Sequence, residues 1–556
     1  MTNFEIFLYP FLISVIVIWS IPANLYKKTS IAKYIHLLTP SASMYLLFGT
    51  KEETLPELKF TFAFVFILIT FLSSLNSLHI KNKWHDCSSL FYAGSAIGVV
   101  TSSNWLNFLL SWEMMLLGSV FLILSKNDPE SRSAAIKYFY YHLLSGSLVM
   151  FGIANLPNRE FDGILLPGWD EPYSLLILVG VLLNAAVPPL HSWVPDIYPK
   201  SSPTANVFLS AFTTKAAVYV LIKFFVGLDF LIYIGAIMAI YGVVFAMISN
   251  SMRKLLSYHI VSQVGYMVVG VGVGTSFSAD GSAAHAFSHI IYKGLLFMSV
   301  SSLIYATGKE KITELGGLIK KTPFIFVGFA IGALSIAGAP GFNGFISKSM
   351  IVDSVHIAHL ETISSMLSIA SIGTFLSIGM KMGWFIFFGK NTTIKLKKIP
   401  KNMSLAMGIS SIICFIFGIK PNLLYGMLPG KAFVDSAVYN PWSKSHVLHA
   451  LEILGVGFFV FLIFKKYIQP KEKTVKEFGH LYSKIFGLIL NTSISFSKNV
   501  SKSLELEIKN ICQNLKKDIR SEKPTLIGEN PLKTLPLGER LLTVLFLMLV
   551  FLLLAG

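Results

Sequence analysis

The stretch "LLNAAVPPLHSWVPD", residues 182–196, follows directly on the apolar run "YSLLILVGV". Such a run reads as the interior of a membrane helix. Yet the stretch holds three prolines, a histidine, a tryptophan, an aspartate and, at position 184, an asparagine. Proline removes a backbone N–H and its ring clashes with the preceding turn, so a regular helix cannot run through it. In hydrocarbon the freed backbone groups have no water to bind. Broken backbone at membrane depth is therefore found only inside protein or beside a water-filled cavity. The stretch predicts a discontinuous helix within a bundle.

The rest of the chain agrees with a membrane setting. Of 556 residues, 53% are hydrophobic and 13% charged, where a soluble protein carries about 25% charged residues. Mean hydropathy is +0.64. The apolar residues come in blocks, many reaching the roughly 20 needed to cross a bilayer. The net charge is +17, and basic residues sit in short loops such as "KKTSIAK", "HIKNKWHD", "NSMRKLLS", "GKEKITELGGLIKK" and "GKNTTIKLKKIPK". Basic short loops mark the cytoplasmic side, so the charge fixes orientation and does not imply nucleic acid. Cys87, Cys414 and Cys512 are scattered and form no CxxC pair, which gives no sign of a metal or iron–sulfur site. The first span lacks a basic n-region and an A-x-A site, so no cleaved signal is expected.

Reading the blocks in order predicts an all-α polytopic membrane protein with about sixteen transmembrane helices. Residues 1–86 form N-terminal spans and 389–464 C-terminal ones. The segment 465–535 mixes lysines with apolar residues at helical spacing, and reads equally as a surface-lying amphipathic helix or a basic linker. A last span falls within 536–556. With the N-terminus outside, the basic loops all fall inside and the acidic loop 155–172 outside. That alternation requires 323–358 to cross once, as a second broken helix around "GAPGFNGF". A further span is read at 204–226.

Charges inside spans are costly and are functional hypotheses by default. Glu113 lies mid-span in "NWLNFLLSWEMMLLGSVFLIL", Lys215 in "SAFTTKAAVYVLIKFF", and Lys348 just after a Pro/Gly break in "GAPGFNGFISKSMIVD". In "HAFSHIIYKGLLF", His285, His289 and Lys293 recur at i, i+4 and i+8. On a helix these lie within about 80° of arc and climb about 12 Å. Histidine titrates near neutral pH, so such a stripe suits proton passage. The rival readings are a metal pair and helix–helix hydrogen bonding. Against metal, no glutamate follows the first histidine as in H-E-x-x-H, and no third ligand is evident. For Glu113 and Lys348 the rival is a structural ion pair. Lys137 and Lys223 lie nearer span ends, where snorkelling explains them.

These motifs, with "PPLHSWVPDIYPKSSPTANVFLSAFTTKAAVYVLIKFF" and "MRKLLSYHIVSQVGYM", resemble the antiporter-like membrane subunits shared by respiratory complex I, membrane-bound hydrogenases and Mrp-type cation/proton antiporters. Among these the chain looks most like the D-type component of the Mrp antiporters. The resemblance covers roughly residues 60–390 and weakens after Pro400. It implies two inverted five-helix repeats, here 87–226 and 231–388, each with a broken helix. It also implies a half-channel in each repeat and a central row of ionisable groups joining them. By motif match Glu113 stands at the family's fifth-helix glutamate, Lys215 at the eighth-helix lysine and Lys348 at the residue ending the row. His285, His289 and Lys293 stand between the last two. The family usually has a lysine five residues before the Pro-x-His motif, and this chain has Asn184. An amide cannot carry a proton charge or neutralise Glu113, which implies an altered first half-channel unless His191 or Lys137 substitutes.

Three functions are consistent with this reading. The first is a proton-translocating, antiporter-like subunit of a multisubunit complex, with other hydrophobic subunits as partners and Na⁺ or K⁺ as candidate counter-ions. The second is a membrane-arm subunit of an NADH:quinone oxidoreductase or hydrogenase. The chain has no Gly-rich nucleotide loop and no cluster-ligand cysteines, so no active site or cofactor is expected in it and redox chemistry would lie in partners. The third is a structural subunit with impaired transport, on account of Asn184. Each sets the chain in a lipid bilayer, with a bacterial inner membrane the expected location.

Overall fold

A computed structural model of the chain describes residues 3–50, 55–157, 161, 163–165, 167–168, 171–390, 394–434 and 437–472. Four N-terminal helices come first: α1 (Asn3–Ser20), α2 (Ala23–Lys28), α3 (Ile31–Gly49) and α4 (Glu57–Ser77). Next come α5 (Lys83–Thr101), α6 (Trp105–Leu124) and α7 (Pro129–Ala154). A broken helix follows, α8 (Pro172–Asn184) with α9 (Trp193–Ile197), and then a second broken pair, α10 (Ala205–Leu209) with α11 (Thr213–Phe224). The next succession is α12 (Asp229–Ile248), α13 (Met252–Val273), α14 (Ser276–Thr307), the broken pair α15 (Pro323–Ala337) and α16 (Asn343–Ile357), and α17 (Glu361–Thr374). α17 is prolonged by π-wound turns as far as Phe388. α18 (Lys401–Ile419), α19 (Asn422–Tyr425), a two-strand antiparallel ribbon pairing Phe433 with Val438, and α20 (Lys444–Ile468) end the described chain.

This is an all-α polytopic membrane fold. Among the described residues nine helices are long and apolar enough to cross a bilayer, with shorter apolar helices at α1, α8 and α15. The expected total of about sixteen therefore lacks a count, because residues 473–556, with the expected last span and most of the basic segment, lie outside the described residues. α14 is the central element. It is buried on all sides along most of its 32 residues and packs against α4, α11, α13, α15, α16 and α18. α20 is mostly exposed, as a helix on the lipid-facing periphery would be.

The connections segregate by charge. The loops around residues 19–21, 80–83, 125–128, 200–206, 249–254, 308–319, 386–390 and 394–397 gather on one face. Lys83 Nζ donates to the Trp19 and Ile21 carbonyls, and Asn82 Nδ2 to Ser125 O at 2.7 Å. Lys126 Nζ donates to Lys200 O at 3.1 Å. Met252 N donates to Glu310 O, Leu318 N to Ile386 O, and Lys397 N to Ala306 O. These are the basic loops of the sequence, so positive charge does collect on one side. On the opposite face Leu165 N donates to Phe224 O and Gly227 N to Val271 O.

The breaks fall where side chains can satisfy the freed backbone. α8 stops at Asn184 and α15 at Ala337, as the Pro- and Gly-rich stretches predict. The span read at 204–226 is interrupted at Ser210–Phe212. No proline or glycine marks that interruption. It is held by tertiary partners: the Thr213 N–H donates to the Tyr92 hydroxyl at 3.1 Å, and Lys215 supplies the donor for the loosened carbonyl.

Candidate functional site

The stripe on α14 is buried completely. His285, His289 and Lys293 have no exposed surface, and the two imidazole centroids lie 6.5 Å apart. His285 Nδ1 lies 3.0 Å from the Ser347 hydroxyl of α16, and its Nε2 lies 3.4 Å from the Tyr292 hydroxyl. Beyond it the partners stop. Both ring nitrogens of His289, Lys293 Nζ, the Ser288 hydroxyl, Gln263 Nε2 on α13 and Asn343 Oδ1 on α16 make no hydrogen bond to protein. Each unsatisfied buried polar group costs about 1–3 kcal/mol. Clusters of this kind are normally served by internal water.

Lys215 and Lys348 flank that stripe, each directly after a helix break. Lys215 is fully buried and donates to Ser210 O at 2.7 Å and to the Thr214 hydroxyl at 3.0 Å. Lys348 donates to Ile336 O at 2.8 Å, and its ammonium lies 4.8 Å from the Tyr266 ring centroid. Both ammonium groups thus meet the carbonyl end of the preceding half-helix, where the helix dipole is negative. α14 touches both elements, α11 with Lys215 and α16 with Lys348. The helix that carries the stripe therefore packs against both breaks, and His285 reaches Ser347 of α16.

Glu113 stands apart. It lies mid-way along α6 and packs on α7, where a Cβ added at Gly146 would come within 1.8 Å of its Oε1. Among the described residues it makes no ion pair. Asn184 is buried, and its Oδ1 lies 2.6 Å from His142 Nδ1 of α7. Among the described residues no ion pair joins Glu113 to either suggested substitute. Lys137 lies on the exposed side of α7, and the His191 ring packs edge-on against Tyr241 of α12 at 4.4 Å.

His142 is a residue that the sequence pattern did not single out. It shares a buried face of α7 with Tyr138, Ser145, Gly146 and Val149. That spacing of small and aromatic residues is present in "KYFYYHLLSGSLV", whereas Lys137 belongs to the outer face. His259 of α13 is a second. It is buried, with Nε2 2.7 Å from the Ser377 hydroxyl on the π-wound segment. No group of three or more His, Cys, Asp or Glu that could hold a metal ion occurs among the described residues.

Comparison with known proteins accords with this geometry. The family model described as "NADH:quinone oxidoreductase/Mrp antiporter, TM" matches residues 102–377, which hold Glu113, both lysines and the α14 stripe. Over that region the chain is similar to this family of antiporter-like membrane subunits. An uncharacterized protein of Methanocaldococcus jannaschii is 28% identical over 373 residues, 63% of this chain and 77% of that one. A putative antiporter subunit, mnhD2, of Staphylococcus aureus is 27% identical over 66% of this chain and 77% of its own. Component B of hydrogenase-4 from Escherichia coli is 25% identical over 60% of this chain and 56% of its own. Among solved structures, a chain of the Mrp complex from Dietzia sp. superimposes with a TM-score of 0.69 at 19% identity, covering 81% of this subunit and all of that chain. A chain of the membrane-bound sulfane sulfur reductase, an archaeal respiratory membrane complex, gives a TM-score of 0.68 at 22% identity, covering 98% and 99%. At these identities the structural likeness concerns the fold. Both structures are multisubunit membrane complexes, and this antiporter-like subunit is an integral membrane protein.

Proposed function

We propose that the chain moves protons within a multisubunit membrane complex, as an Mrp-type antiporter component of the D kind. Lys215, Lys293, His289, His285 and Lys348 form the central path, and the two repeats are bounded at about 87–226 and 231–388. The observation that carries this reading is the run of buried, unpartnered polar atoms on α14 between two lysines, each seated at a helix break. Buried ammonium groups cost at least about 2.5–3.5 kcal/mol at mid-membrane and persist where they are used. Lysine and histidine exchange protons, and water between them closes the gaps that side chains leave. Na⁺ or K⁺ is the ion exchanged against the proton, and other hydrophobic subunits are the partners.

The test is proton flux in vesicles holding the whole complex. Lys215→Ala and Lys348→Ala should each lower flux by roughly a hundredfold, the scale of a lost proton-transfer group, with assembly unchanged. Near-parental flux in either variant would refute the reading. One observation favours a second reading, a membrane-arm subunit of a redox complex: the likeness to the sulfane sulfur reductase chain runs over nearly the full length of both. Purification separates the two. Small hydrophobic antiporter subunits in the complex support the first reading, and iron–sulfur or flavin proteins the second.

A further inference from the structure

Beyond Lys348, on the side of α16 away from its break, a cleft of about 50 Å³ opens between α15, α16, α17 and α20. Its walls are mostly apolar, and Lys348, Ser349, Asp353, Ser371, His446 and His449 are among the residues that line it. At its outer end Asp353 Oδ2 lies 2.8 Å from His446 Nε2, and the Tyr439 hydroxyl donates to the same carboxylate. The two side chains of this pair are 20% and 24% exposed, so water reaches them. Asp353 follows Lys348 by five residues, about 7.5 Å along the helix axis and about 140° around it, so the two communicate through water in the cleft that both line, past Ser349. At about 50 Å³ the cleft has room for a few waters.

We propose that this cleft is the route by which Lys348 exchanges protons with the aqueous face where α16 ends, with Asp353 and His446 as the proton-exchanging pair at its mouth. The inference rests on the reading of Lys348 as a proton carrier. A proton leaving the Lys348 ammonium passes along water and hydroxyls to the Asp353–His446 pair and from there to bulk water. The reverse transfer reloads the amine, and no electron moves. A solely structural role for the pair, pinning α20 to α16, would not require Lys348 to share its cleft. The other titratable groups around Asp353 are His356 on α16, His449 on α20, and Tyr439 on the segment before α20. α17 turns Ser368 and Ser371 toward the cleft.

Two measurements on the whole complex in oriented vesicles test this. Ser349→Cys, in a background carrying Cys87→Ala, Cys414→Ala and Cys512→Ala, should react with a membrane-impermeant maleimide added on the side where α16 ends. It should react at least tenfold more slowly when the reagent is added on the other side. Second, Asp353→Asn and His446→Gln should each lower flux by about tenfold and change its pH profile, and Asp353→Glu should restore both. Absence of labelling from that side, with normal labelling after denaturation, overturns the inference. So does a parental pH profile in Asp353→Asn and His446→Gln while Lys348→Ala abolishes flux. If Lys348→Ala leaves flux intact, it is the transport reading that fails, and labelling of Ser349→Cys still reports whether the cleft is open.

Discussion

Asn184 shows how one residue can change a site while the fold stays intact. Its carboxamide lies 2.6 Å from a histidine of the neighbouring helix, so the local hydrogen bonding is satisfied without an ammonium. Glu113, the expected ionic partner, rests instead against Gly146, one helical turn beyond His142 on the same face of α7. Because Glu113 is in no ion pair, replacing it with glutamine strands no opposite charge. Glu113→Gln should therefore reduce proton flux less than Lys215→Ala does, measured in the same vesicles. An equal or larger loss would mean that the carboxylate is a full member of the path, with a cation supplied by a neighbouring subunit. Gly146→Ala is the companion variant. Its methyl group would meet the flexible end of Glu113 at 1.8 Å. The fold should tolerate this while the carboxylate moves, and infrared difference spectra should show a shifted carboxyl band with an unchanged melting temperature.

At the scale of the element, the breaks show what a sequence can disclose. Those after Asn184 and Ala337 were legible because proline and glycine write the interruption into the local chemistry. The break at Ser210–Phe212 was not, because no proline or glycine marks it and one of its supports, the Tyr92 hydroxyl on α5 that accepts from the Thr213 N–H, lies elsewhere in the chain, while Lys215 nearby serves the Ser210 carbonyl. The α14 stripe was legible from spacing alone, since i, i+4, i+8 periodicity survives in any helix. Whether its members find partners depends on α13 and α16, and no local pattern reports that. Asp353 and His446 were illegible for the same reason, lying 93 residues apart in sequence. The second break also makes a prediction. Gly344, at the start of α16, approaches the α15 backbone so closely that a Cβ would lie 1.7 Å from Ser335 O. A backbone carbonyl at that position cannot swing aside as a side chain would. Gly344→Ala should therefore lower the melting temperature of the purified complex, at the overpacking scale of about 1–3 kcal/mol. It should also lower flux, since Lys348 depends on that junction. A parental melting curve would show that the junction is looser than its geometry implies.

At the scale of the whole molecule, one residue joins the two helix successions on the basic face. Arg253, in the first turn of α13, is buried and donates through Nη1 to Ser201 O at 2.7 Å and to Asn206 Oδ1 at 3.1 Å. Its Nη2 pairs with Glu310 in the loop after α14. The segment between the two broken pairs of the first succession, the first turn of α13 in the second, and the loop leaving the central helix thus meet at one guanidinium. Its planar fork serves three acceptors at once, which a lysine cannot reproduce. Removing it would leave Ser201 O and Asn206 Oδ1 unsatisfied within the protein, whereas Glu310, 41% exposed, would turn to water at little cost. The loss comes mostly from the two buried acceptors, at about 1–3 kcal/mol each. Arg253→Ala should accordingly give a complex that melts well below the parent, and Arg253→Lys should recover only part of the difference. Glu310→Gln, which keeps the buried contacts, should melt close to the parent. Because Arg253 lies away from the α14 stripe, flux per assembled complex should stay near parental in all three variants at a temperature below the melting transition. If Arg253→Ala assembles and melts normally but loses flux, the guanidinium acts in the proton path, and the basic face is part of the route that the central lysines serve.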